Sequence, residues 1–71
     1  MNIQLAVIKG TNVLKSRFIQ TAQLDAEILM AKVLETNREY IILNNNKVLE
    51  DKKFENFQRL IQERAKRKPI A

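Results

Sequence analysis

The chain has 71 residues with no cysteine, no histidine, one glycine, one proline and a formal net charge of +5. Disulfides, thiolate or imidazole metal sites and a histidine general base are therefore excluded, and the lone Gly10 rules out a glycine-rich loop cradling phosphate or a nucleoside cofactor. No apolar run approaches the roughly 20 residues that span a bilayer and no secretory leader opens the chain, so it reads as one small, soluble, cytoplasmic domain, able to bury about 60% of its extended surface.

In residues 2–15, NIQLAVIKGTNVLK, Ile3, Leu5 and Val7 alternate as in a strand, while Ile3, Val7, Gly10 and Leu14 trace a helical stripe. Helix is the expectation; Gly10 weakens it by about 1 kcal/mol relative to alanine without forbidding it. Phe18 and Ile19 follow a polar break and are expected to plug the core from a loop. Residues 21–35, TAQLDAEILMAKVLE, are dominated by strong helix formers. Leu24, Ile28, Ala31 and Leu34 recur at helical spacing, and Leu29, Met30 and Val33 widen the apolar arc, so this helix is expected to be central, with Ile28 and Leu29 deep within it. Asp25 and Glu27 lie in its first turns, where carboxylates complement the helix dipole.

Thr36 and Glu39 have the spacing of a capping box, which predicts a short helix over Arg38 to Leu43. Tyr40 should pack its ring in the core with its hydroxyl at the surface. A turn at Asn44 to Asn46 ends that element. Phe54, Phe57, Leu60 and Ile61 then define one face of a long amphipathic helix from about Asp51 to Lys68, stopped by Pro69. Glu55 with Arg59, and Glu63 with Arg67, stand four residues apart in the favourable order. The fold class is all-α: a small four- to five-helix bundle with a central apolar helix and a long amphipathic last helix.

No residue set suits catalysis. Asp25 and Glu27, two apart on a helix, point about 200° away from each other and do not converge on one atom. Glu50 and Asp51 are explained by capping, and Ser16 and the threonines have no base to activate them. Charge is more informative. Residues 52–68 hold seven Lys/Arg against two Glu, a net of +5 that equals the charge of the whole chain. Such a helix can be a solvated face, a protein-binding surface, or a surface for nucleic acid or an anionic membrane. Phe54 and Phe57 fall on the core stripe rather than beside the cations, which weakens the case for base stacking. Arg59, Arg64, Lys66 and Arg67 are the candidate partner-binding residues; no residue is assigned to catalysis, a cofactor or a metal. Pro69-Ile70-Ala71 turns apolar just after the helix stop, as though entering another element, so the expectation is an excised N-terminal domain.

LDAEILMAKVL, residues 24–34, resembles the Asp-Ala-Glu-Leu-Leu signature in the N-terminal helical domain of the HemK/PrmC family. The segments REYIIL and DKKFENFQRLIQERAKRKPIA follow in the family's order, and Arg64 with Pro69-Ile70-Ala71 matches its domain end. Glu63 departs from the arginine common there, and Arg67-Lys68 replaces a frequent Gly-Glu. The resemblance implies a release-factor recognition domain of an enzyme that methylates the glutamine of the Gly-Gly-Gln motif in class-one peptide-chain release factors. It further implies S-adenosylmethionine for the parent enzyme, a methyltransferase domain following Ala71, and a cytoplasmic monomer; the family's Asn-Pro-Pro-Tyr and glycine-rich loop are absent from these residues. The rival reading is a free-standing basic helical module that binds nucleic acid.

Overall fold

The computed structural model describes residues 1–66, which form four helices: α1 (Ile3–Ser16), α2 (Ala22–Val33), α3 (Arg38–Leu43) and α4 (Asp51–Lys66). The all-α class follows the sequence reading, with four helices among the described residues. The expected helix stop at Lys68 and Pro69 lies outside those residues.

The helical stripe on α1 wins over the strand alternation: Ile3, Ala6, Val7, Gly10, Thr11 and Leu14 are buried, while Leu5 is exposed. Thr11 is accommodated because its hydroxyl donates to the Val7 carbonyl at 2.8 Å. A helix start leaves unpaired amides, and the first three amides of α1 each have a partner. Asn2 Oδ1 accepts from the Leu5 N–H at 2.8 Å, and the Ile3 and Gln4 amides donate to the Lys47 and Asn45 carbonyls at 3.0 and 2.7 Å. The asparagine turn thus does more than end α3. With the Leu49 amide donating to the Met1 carbonyl at 2.8 Å, it fastens the α3–α4 connection to the start of α1.

α1 and α2 end alike. The Phe18 amide donates to the Lys15 carbonyl and the Ile19 amide to the Leu14 carbonyl, at 2.9 and 3.2 Å. The Glu35 and Thr36 amides donate to the Lys32 and Ala31 carbonyls at 3.2 and 2.9 Å. Both are Schellman motifs, whose penultimate residue adopts the left-handed conformation that favours glycine. Here those residues are Phe18 and Glu35, with φ of 61° and 56°. The expectation that Phe18 and Ile19 both plug the core holds for Ile19 only. Ile19 folds back into the core cluster with Leu14, whereas Phe18 is turned outward and is 87% exposed.

α2 is central in that it packs against α1, α3 and α4. Its inner face is not the expected one. Ala22, Ala26, Met30 and Ala31 are buried, Ile28 is 48% exposed, Leu24 is also exposed, and Leu29 is half-buried against the core. A helix apolar on most sides gives periodicity no phase to read. Three alanines on the inner face let neighbouring helices approach closely around Met30, and Leu24 and Ile28 stay outside. The capping residue of α3 is also shifted by one. Asn37, in extended backbone, accepts from the Tyr40 amide at 2.8 Å, replacing the expected Thr36. Thr36 is committed to ending α2 and cannot also begin α3. Tyr40 is half-buried, with Lys47 Nζ 3.3 Å from its hydroxyl and 5.4 Å from its ring centre.

On α4 the expected stripe holds: Phe57, Ile61 and Ala65 are buried, and Phe54 and Leu60 are half-buried. Phe57 lies against Gly10 of α1. A Cβ at position 10 would sit 2.7 Å from Phe57 Cζ and 2.9 Å from Ile61 Cδ1, inside any real carbon contact. The glycine in mid-helix is there for this approach.

Gly10→Ala should therefore lower stability by about 1–2 kcal/mol net, because overpacking against a rigid, buried ring outweighs a gain of about 1 kcal/mol in helix propensity. Urea unfolding followed by circular dichroism measures it; a variant as stable as the parent would mean that Phe57 moves aside freely. By the same assay Met30→Ala should cost about 2–5 kcal/mol and Ile28→Ala no more than about 1 kcal/mol. Equal losses would contradict the inner face assigned to α2.

Candidate partner-binding surface

Two acidic residues of α2 hold the bundle together from opposite sides. Asp25 accepts from Arg64 Nε of α4 at 3.1 Å and from the Thr21 hydroxyl at 3.0 Å. Glu27 accepts from Arg38 Nε of α3 at 2.7 Å, with only 10% of its own side chain exposed. They diverge, as two-residue spacing on a helix requires, and neither faces the other's partner. No buried side-chain nitrogen or oxygen lacks a hydrogen-bond partner among the described residues, and no group of three or more potential metal ligands occurs among them. The pair of Glu27 with Arg38, eleven positions apart, has no signature in the sequence.

The candidate partner-binding residues fare differently from one another. Arg59 and Lys66 are exposed on α4. Arg64 is half-buried, its guanidinium engaged by Asp25, so it anchors the helix. Arg67 lies outside the described residues. The outer face of α4 carries Lys52, Glu55, Arg59, Glu63 and Lys66, which alternate in sign at helical spacing. Read residue by residue, this face is mixed rather than a uniform basic stripe.

Two recesses lie among the described residues. One, of about 270 Å³, lies between α1, α2 and α3 and is lined by Gln4, Ile8, Gln23, Glu27 and Ile42 among others. The other, of about 50 Å³, is the crease where α1 meets α4 beside Gly10 and Phe57. Neither brings together a nucleophile and a base. No helix among the described residues is long and apolar enough to cross a membrane.

Arg38→Met should cost about 1.5–3 kcal/mol, since it strands the Glu27 carboxylate in a largely buried position. Replacing both partners by methionine should recover much of that loss, because the unpaired charge goes with them. Thermal unfolding of the single and double variants checks this; a double variant as unstable as the single one would mean that the two losses have another origin.

The family model described as the PrmC N-terminal domain matches residues 6–71. A curated relative, the bifunctional methyltransferase of Rickettsia felis, is 31% identical over 70 residues. Those residues are 99% of this chain but 13% of the relative, so the chain spans a small fraction of that protein's length. No solved structure matches the chain. With a match across nearly its whole length and the four helices in place, the chain belongs to the PrmC N-terminal domain family.

Proposed function

We propose that this chain is the release-factor recognition domain of an S-adenosylmethionine-dependent methyltransferase. In this reading the enzyme modifies the glutamine of the Gly-Gly-Gln motif in class-one peptide-chain release factors. The domain holds the release factor while a methyltransferase domain beyond Ala71 performs the transfer, in the cytoplasm and as a monomer. The observation that carries the reading is the family match over residues 6–71, joined to a curated relative that is a methyltransferase.

The chain's own chemistry fits recognition rather than transfer. Its one glycine is packed against Phe57 and Ile61, so it offers no backbone cradle to a nucleoside cofactor. S-adenosylmethionine does not suit these residues. What the chain offers is surface: exposed cations at Arg59 and Lys66 on α4, continued in the sequence by Arg67. Charges at an interface rim act on the rate of encounter and on its salt dependence.

Replacing Arg59, Lys66 and Arg67 together by glutamate should raise KM for an intact release factor by about three- to tenfold, with kcat unchanged. Steady-state methylation by the full polypeptide measures both constants. A fall in kcat at unchanged KM would give the domain a part in positioning the glutamine, and an unchanged KM would return these residues to ordinary solvation.

A further inference from the structure

The α1–α2 turn carries a feature that the packing of the domain does not use. Phe18 is 87% exposed and holds a left-handed backbone, φ 61°, in a motif where glycine is the favoured residue. An aromatic ring in water and a strained backbone are both unfavourable, and among the described residues the ring has no place in the core cluster that would offset them. The conformation is nonetheless fixed. The amides of Phe18 and Ile19 are both bonded to carbonyls of α1, and Ile19 is locked in the core. The ring is thus presented on a rigid mount, which lowers the entropy lost when it is captured.

Its surroundings are charged. Lys15 and Arg17, on either side of the end of α1, are exposed. The Asp25–Arg64 pair sets the last turn of α4 beside the first turn of α2, so the exposed Lys66 stands at this same end of the molecule. Of the carboxylates here, Asp25 is engaged by Arg64 and Glu63 is exposed. Among the described residues, none of Lys15, Arg17 and Lys66 has a carboxylate within ion-pair distance.

We infer that the end of the bundle formed by the α1–α2 turn and the last turn of α4 is a protein-docking surface. Phe18 is its anchor, and its partner is an acidic protein surface with an apolar pocket. Aromatic residues and arginine are enriched in interface centres, and cations around the anchor select a partner of opposite charge. A protein is favoured over nucleic acid because the surface is a single projecting ring, not the row of stacking platforms in a basic groove that single strands use. The inference rests on the release-factor reading and names the face that this reading leaves open.

The test uses the full polypeptide and a purified class-one release factor, with affinity read by titration calorimetry and stability by thermal unfolding. Phe18→Gly relieves the strained backbone, so it should keep or raise the melting temperature while weakening binding at least about tenfold. Glu35→Gly, at the other left-handed position, should likewise keep or raise the melting temperature and leave binding unchanged. Lys15→Glu combined with Arg17→Glu should weaken binding at low salt and flatten its salt dependence. Binding that survives Phe18→Gly unaltered would overturn this inference alone. An unmodified protein that does not bind the release factor would overturn the underlying reading and this one with it. Tighter binding of a single-stranded oligoribonucleotide, abolished by Phe18→Gly, would overturn it in favour of nucleic acid.

Discussion

The seat of α4 on α1 depends on the missing side chain at residue 10. Phe57 occupies the space a Cβ would need, so α1 and α4 meet backbone to ring. That approach lets Phe57, Ile61 and Ala65 face the buried stripe of α1 and the alanines of α2. With α4 so placed, Arg64 reaches Asp25 at the start of α2, and the end of α4 lines up with the α1–α2 turn. A small domain has little surplus stability, and one close contact of this kind fixes the arrangement of three helices. The chain's one glycine is spent there, and the two left-handed helix ends are left to phenylalanine and glutamate.

Helix positions were legible because they follow from composition and stripe. α3 matches its expected span, and the inner faces of α1 and α4 follow from Ile3, Val7, Gly10 and Leu14 and from Phe57 and Ile61. The inner face of α2 was not legible. Its apolar residues surround the axis, and pattern reading weighs Leu24 and Ile28 above the alanines that close packing prefers. The capping box failed for a different reason. Thr36 and Glu39 have the right spacing, yet Thr36 is already bonded to Ala31 of the preceding helix, and Asn37 takes the cap. A local motif loses when its first residue is needed by the neighbouring element.

The candidate surface was legible in part. Net charge pointed to α4, and Arg59 and Lys66 are exposed there. Charge counting could not separate a cation that faces solvent from one that ties helices together, and Arg64 is of the second kind. Nor could it find Phe18, since an aromatic beside an isoleucine in a short turn reads as core. The signal was present in another form: a Schellman ending with no glycine to supply its left-handed residue forces some side chain outward, and here that residue is aromatic. Hydrogen-bond bookkeeping, rather than hydropathy, exposes it.

The proposed function is a division of labour, in which this domain would hold a protein substrate and the chemistry would lie elsewhere in the polypeptide. The most direct test is to delete residues 1–71 from the full polypeptide and compare methylation of an intact release factor with that of a short peptide containing Gly-Gly-Gln. With the labour so divided, activity on the peptide is kept, while kcat/KM for the intact factor falls through KM. Equal losses on both substrates, with the truncated enzyme still folded, would contradict it.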